Sequence, residues 1–502
     1  MRPLLVLAVA VAALRLCIAP AAAATRPPNV IFIIADDLGY GDLGCYGQKI
    51  IRTPNIDRLA AEGVRFTHHY AGNAVCAPSR CVLMTGRHPG HAYIRDNRQF
   101  KKDEEGQVPI PADTVTMAKL FQQRGYATGG FGKWGLGGPG TSGEPLKQGF
   151  TRWFGYNCQA VAHNFYPTYL WDNDHKVPTR NVDFPAHDKL KPGEDPNDPK
   201  TYARFTGKDY APDLIAEQTR AFIREHRDKP FLCYVPTTVP HLALQVPEDS
   251  LAEYVGKFPD PPYVGGKGYL PHFKPRAAYA AMITRMDKEI GSFMKLVADL
   301  GLEENTIFVF TSDNGPLHGF HEGLAGTDAT FFNSSGGLRD GKGTLFEGGF
   351  RVPGIVRWTG RIKPGQTSDR VTGFEDWLPT LLELTGATAT TPKEIDGMSF
   401  APTLLGQRQP ERAFLYREFP GYGGQQCVRI GDWKGLRRNL KPAPAKKQSP
   451  DFAIQLFNLR DDPAETTDVA AKYPDVVNKL ADVMRAQHTA SAEFPFPALD
   501  RR

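Results

Sequence analysis

Four times along this chain an apolar, strand-like run halts at polar side chains. Asn29 to Ala35 stops at Asp36-Asp37, and Tyr126 to Phe131 runs into Gly132-Lys133. Phe231 to Val235 leads to His241, and Thr306 to Thr311 stops at Asp313-Asn314. Helix-like stretches stand between these runs: Pro54 to Glu62 with Thr53 as N-cap, Val115 to Arg124, Leu214 to Arg224, and Ala277 to Leu300. Proline in a first turn and glycine past a last one (Gly63, Gly125, Gly301) mark such boundaries. Strands alternating with helices predict an α/β fold, with a large, mostly parallel sheet flanked by helices. Ligands of such sheets bind outside the carboxyl ends of the strands. Four strand ends that each deliver polar groups therefore predict one active site.

At 502 residues the chain exceeds what a single core usually serves. After about Leu405 the pattern changes to short strand-like pieces, a basic proline-rich loop (Lys441 to Pro450) and an amphipathic helix near Asp475 to His488. The reading is a large domain over 25–405 and a smaller α+β domain over 406–502. Pro-, Gly- and Asp-rich stretches, His187 to Lys200 and Pro259 to Gly268, are expected as loops over the site. No internal repeat appears.

Residues 1–24 read as an export signal: Arg2, an apolar run from Leu4 to Leu14, and Ala22-Ala23-Ala24 as cleavage site. Arg15 and Pro20 break the segment before it reaches the ~20 apolar residues of a membrane span. The mature protein is expected not to span a membrane and to be exported, to the periplasm or cell exterior, or to the lysosome in a eukaryote. The formal net charge of +5 is small for this length and lacks the dense basic stripe that nucleic acid requires. Six cysteines remain after the leader (Cys45, Cys76, Cys81, Cys158, Cys233, Cys427), too few for a disulfide scaffold. Their pairing is not legible.

The segment Cys76-Ala77-Pro78-Ser79-Arg80, followed by Leu83, Thr85, Gly86 and Arg87, resembles the signature of the type I sulfatases of the alkaline phosphatase superfamily. Four further segments resemble that family in order and spacing: Ile34-Ala35-Asp36-Asp37, Gly132-Lys133-Trp134, Ser312-Asp313-Asn314-Gly315, and Gly341-Lys342-Gly343 with Glu347-Gly348-Gly349. Together they cover most of residues 29–410. The resemblance implies hydrolysis of aryl or carbohydrate sulfate monoesters, so a sulfated small molecule or glycan as substrate. It implies that Cys76 is oxidised to formylglycine by a formylglycine-generating enzyme before export. It also implies calcium held by Asp36, Asp37, Asp313 and Asn314, with the modified Cys76 completing the set. By the same resemblance Arg80 holds the formylglycine, Lys133 and Lys342 touch sulfate oxygens, and His241 binds sulfate and assists the leaving oxygen.

Elementary chemistry agrees with this reading. Pro78 and Gly86 bracket a short helix that begins at Cys76, and a helix N-terminus offers free N–H groups to an anion. An aldehyde there would hydrate to a diol, with one hydroxyl to attack sulfur and a second to expel sulfate. Asp36, Asp37, Asp313 and Asn314 form an all-oxygen set suited to a hard cation, which as ligand type alone does not exclude magnesium. Taken singly, Cys76 reads as a structural thiol, the acidic pairs as solvated turns and the lysines as surface charges.

One position departs from the family. Where Gly-Lys-Trp is often followed by a histidine that takes a proton during sulfate release, this chain has Gly135. A glycine leaves room for substrate, and either another base serves or release is slow. His163 is the first candidate, also as a substrate-binding group, followed by His318 and His321. Two other functions fit the same fold. A phosphoester or phosphonate hydrolase would share metal and nucleophile positions. A non-catalytic sulfated-glycan-binding relative would have lost the nucleophile or the metal set, and both are intact.

Overall fold

The computed structural model describes residues 26–102, 104–441 and 449–500, so the expected leader, residues 1–24, lies outside the described residues. The large sheet is built from β1 (Asn29–Ala35), β2 (Val64–Tyr70), β3 (Ala127–Lys133), β4 (Arg152–Tyr156), β5 (Tyr169–Asp172) and β6 (His175–Pro178). It continues with β7 (Phe231–Pro236), β8 (Thr306–Ser312), β9 (Arg351–Trp358), β10 (Gln366–Ser368) and β11 (Thr372–Gly373). The strand order is β10-β2-β9-β8-β1-β7-β3-β4-β5-β6, with β11 also pairing β2.

β1 lies at the centre, parallel to β7 on one side and β8 on the other. Its Val30, Phe32 and Ile34 enter one core, and Ile31, Ile33 and Ala35 enter the core on the opposite face. Burial on both faces is why the run is continuously apolar rather than alternating. The neighbours β8, β1, β7 and β3 all run parallel, so the four polar strand ends read in the sequence meet at one edge. β9 runs antiparallel to both β8 and β2. Hence β9 begins, and β2 ends, at that same edge. The segment after β2, which holds Cys76, and the segment before β9, which holds Lys342, are delivered there by strand direction alone.

Five helices follow the expected positions: α1 (Pro54–Ala61), α2 (Cys76–Thr85), α3 (Met117–Gln123), α4 (Ala211–Glu225) and α5 (Pro275–Asp299). Thr116 caps α3 by accepting the Lys119 N–H. Thr53 does not cap α1. Its hydroxyl turns to Asp57, and the N–H groups of Asn55 and Ile56 are taken instead by Asp287 of α5, at 3.0 and 2.7 Å. A carboxylate supplied by a packed neighbour displaces the local hydroxyl, and local sequence carries no sign of that.

The C-terminal sheet is antiparallel: β12 (Leu415–Phe419), β13 (Gln425–Ile430), β14 (Trp433–Arg437) and β15 (Gln455–Asn458). Helix α6 (Pro474–Ala486) buries Leu480 and Met484 against Val428 and Leu456. No disulfide joins the six cysteines, and among the described residues no helix is long and apolar enough to cross a membrane.

Candidate active site

Three carboxylates and three permanent cations close around Cys76, all buried. Lys133 Nζ lies 2.7 Å from Asp36 Oδ2, and Lys342 Nζ lies 2.7 Å from Asp37 Oδ1. Arg80 donates to Asp313 Oδ2 from Nε at 3.0 Å and from Nη2 at 2.8 Å, and also to the Lys133 carbonyl. Asp37 follows the end of β1 at a φ of +64°, a costly conformation for a non-glycine residue, and its own N–H reaches Asp313 Oδ1 at 3.2 Å. Asn314 Nδ2 donates to Asp37 Oδ1 at 2.7 Å.

The electrostatics are uneven. Burial works against the charge of Asp36, but the permanent cations Lys133, Arg80 and Lys342 outweigh it and hold the carboxyl far below its usual range. Asp313 is pushed up to about 6, by burial first and then by the neighbouring Asp36 charge. Asn314 Oδ1 is buried with no hydrogen-bond partner. An acceptor buried without a donor is costly, and an oxygen-seeking cation beside these carboxylates supplies what it lacks. The donor set therefore fits a hard divalent ion. Asp36, Asp37, Cys76 and His241 also present ligand atoms within 4.8 Å of one another.

Cys76 opens α2, after Val75 in extended conformation, and Gly86 closes the helix at a φ of +68°. Its Sγ has Asp36 Oδ1 at 3.4 Å, Lys342 Nζ at 3.6 Å and Lys133 Nζ at 3.7 Å. Burial pushes the thiol up despite the two lysines, so as a cysteine the side chain is a neutral group.

His241 sends Nδ1 to the Leu242 carbonyl at 2.8 Å and stands with Nε2 3.6 Å from Asp37 Oδ2. His163 stacks on it, with centroids 4.9 Å apart and planes 9° apart. Burial and the nearby cations hold both imidazoles well below their ordinary value, hence neutral. Of the two expected cover loops, the first reaches this pair through His187, edge-on to His163 at 5.9 Å; Tyr269, which follows the second stretch and lies outside it, packs edge-on to His163 at 5.2 Å. His321 lines the cavity in front of Cys76, whereas His318 is drawn off to Glu322 at 2.7 Å.

Gly135 does not leave room for substrate. It sits at a φ of +101°, and a Cβ there would stand 2.4 Å from Nε2 of Gln159. The side chain of Gln159 occupies that space, and the backbone N–H of Gln159 donates to Gln107 Oε1 at 3.0 Å. Other groups at the cavity come from segments that carry no motif: Asn97, whose Oδ1 accepts the Ala77 N–H at 2.8 Å, and Tyr422 from the turn between β12 and β13. Glu347, within a family-like segment, is not at the cavity; it pairs with Lys434 of β14 at 2.9 Å.

Residues 28–387 match the sulfatase family model, and residues 337–490 match the C-terminal model of N-sulphoglucosamine sulphohydrolase. The chain belongs to the sulfatase family. It is 33% identical to human arylsulfatase A over 518 residues, covering 96% of this chain and 92% of the relative. It is 29% identical to the N-acetylgalactosamine-6-O-sulfatase of Bacteroides thetaiotaomicron, covering 93% and 94%. A structure solved in work on the metabolism of multiple glycosaminoglycans by that bacterium superposes with a TM-score of 0.70 at 28% identity, covering 92% of this chain and 99% of that one. This sulfatase is accordingly a sulfuric ester hydrolase in the alkaline phosphatase-like superfamily.

Proposed function

We propose that this sulfatase cleaves sulfate monoesters with a formylglycine made from Cys76 and a calcium ion held by Asp36, Asp37, Asp313 and Asn314. The observation that carries the reading is the set of charges on Cys76: one carboxylate and two lysines within 3.7 Å of its Sγ, beside an amide oxygen with no donor. The thiol stands in for the oxidised side chain, whose hydrate would supply the attacking hydroxyl. Calcium, when bound, would relieve repulsion among the carboxylates and stabilise negative charge on oxygen.

The chain's own residues take the remaining roles. Lys133 and Lys342 bind sulfate oxygens, and Arg80 fixes the residue at position 76 from the side of Asp313. His241, with Nδ1 committed to a carbonyl, keeps Nε2 for sulfate and the leaving oxygen. His163, neutral and stacked on His241, takes the proton-removing role that Gly135 cannot. Residues 1–24 would export the chain after modification, and residues 406–502 would form the smaller domain.

The test is turnover of 4-nitrophenyl sulfate against 4-nitrophenyl phosphate, with and without exhaustive chelation. We expect a higher kcat/KM for the sulfate, loss of activity and of thermal stability on chelation, and recovery of both with calcium. A ligand at 100 times its Kd adds about 2.7 kcal/mol. Faster phosphate turnover would favour a phosphoester hydrolase. Unchanged activity and Tm after chelation, with no metal by elemental analysis, would remove the calcium site.

A further inference from the structure

Lys342 stands on a stretch of chain that belongs to no helix or strand. Residues 341–346 lie between β8 and β9 in the sequence, and all six are buried. A buried loop has no ladder to satisfy its peptide groups, so their partners have to come from elsewhere. The Lys342 N–H goes to the Pro316 carbonyl at 2.8 Å, and the Gly343 N–H goes to the Ala74 carbonyl, two residues before Cys76, at 2.8 Å. Two further groups, the Gly343 carbonyl and the Leu345 N–H, flank Thr344. One side chain serves both. Gln425 donates from Nε2 to the Gly343 carbonyl at 2.8 Å and accepts the Leu345 N–H on Oε1 at 2.9 Å.

Gln425 opens β13 and is only 4% exposed. It pairs with Phe419 of β12 and follows a turn closed by the Gly424 N–H on the Gly421 carbonyl at 3.0 Å. Its amide thus extends from a hydrogen-bonded sheet to a loop that has none of its own. A side-chain amide carries an acceptor and a donor in one rigid plane, which neither an ionised carboxylate nor a hydrocarbon of that length can do. The Leu345 N–H requires the oxygen and the Gly343 carbonyl requires the NH₂, so the partners fix which way the amide faces. Lys342 is the residue just before this pair of bonds, with its Nζ 3.6 Å from Cys76 Sγ and 2.7 Å from Asp37 Oδ1.

We propose that Gln425 is a positioning residue for Lys342, through which the C-terminal sheet sets where that ammonium stands against the side chain at position 76. The inference rests on the sulfatase reading above, in which Lys342 binds a sulfate oxygen. Without the amide, the Gly343 carbonyl and the Leu345 N–H are buried with no partner, and the loop has to shift to satisfy them. An ammonium displaced by about 1 Å still balances Asp37 but no longer meets the charge that develops on sulfate. The loss therefore falls on the reaction more than on binding.

The experiment measures kcat and KM for 4-nitrophenyl sulfate, per chain modified at Cys76, in the calcium-loaded enzyme. The variants are Gln425→Ala, Gln425→Met, Lys342→Ala and the double variants. Gln425→Met keeps the volume and neither hydrogen bond, and so separates the bonds from packing should the Ala variant not fold. We expect both Gln425 variants to lower kcat about ten- to a hundredfold, with KM changed less than about threefold. On the Lys342→Ala background the same substitutions should lower kcat less than about threefold, because the group they displace is gone. Val428→Ala, which hollows the core of the same sheet, is the control: it should lower the urea midpoint and leave kcat unchanged. Unchanged kcat in a folded Gln425 variant, a loss of the same size with and without Lys342, or an equal loss in Val428→Ala would overturn the positioning role and leave the sulfatase reading standing. No turnover of any sulfate by the modified, calcium-loaded wild type would overturn both.

Discussion

Where the C-terminal sheet meets the large one, buried Glu375, Asp376 and Arg417 meet the half-buried Arg412. Glu375 accepts from Arg417 at 2.9 and 3.1 Å and from Arg412 at 3.0 Å. Asp376 accepts from Arg412 and from the Gly373 and Met398 N–H groups at 2.7 to 2.8 Å. Other guanidinium N–H groups reach the carbonyls of Ala71, Phe414 and Tyr416. Every guanidinium nitrogen and every carboxylate oxygen of the four has a partner. Around Cys76 the same residue types leave Asn314 Oδ1 bare, hold Asp313 at about 6, and crowd charge against one side chain. A closed set of partners fastens two sheets together. An open set awaits a ligand.

Removing one member should separate the two clusters. Arg417→Ala strands a buried carboxylate and should cost about 3–5 kcal/mol in chemical denaturation, with kcat per folded molecule unchanged. In the calcium-loaded enzyme, where the ion still neutralises Asp37, Lys342→Ala should lower turnover by about 10²–10³ with a smaller loss of stability than Arg417→Ala, because its loss is felt mainly by the charge that develops in the reaction. If the Lys342 variant instead unfolds while the Arg417 variant is inactive but stable, the contrast is reversed and the assignment fails.

The strand ends were legible because both faces of the central strands are buried, which turns each into an apolar run with an abrupt polar stop. Cys76, Arg80, Lys133, His241 and Lys342 were legible through motifs. Asn97, Gln107, Gln159 and Tyr422 were not. They reach the cavity from loops, where neither periodicity nor charge marks them, and Tyr422 arrives from the C-terminal sheet. Its Pro-Gly-Tyr-Gly-Gly setting was the available signal, and it reads as an ordinary turn. Gly135 was misread for a related reason: a missing side chain looks like space until the neighbour that fills it is seen.

That neighbour gives a smaller test. Gly135→His forces a side chain onto Gln159 at a positive φ and should destabilise by about 1–3 kcal/mol without raising activity. Gln159→Gly in the same chain should recover part of the loss. A stable, faster Gly135→His single variant would mean that the cavity is open there after all.

The smallest effect is in pH. Glu375 is held at about 2, below its ordinary 4.5: burial opposes its charge, but Arg417 and Arg412 outweigh it. The stability this gives is present above pH 4.5 and lost as pH falls toward 2. Asp376, raised by burial, acts in the opposite sense over its own titration. Glu375→Gln should therefore be less stable near neutrality and should flatten the acid limb of stability against pH. An unchanged acid limb would remove Glu375 from it.

The claim at the centre is that the open cluster is built around a residue that is no longer a cysteine. Mass spectrometry of the peptide containing Cys76, taken from protein with measured sulfatase activity, tests it most directly. The account predicts the mass of the aldehyde or its hydrate, in an amount that tracks specific activity across preparations. A fully active preparation whose peptide carries only the unmodified thiol would contradict it.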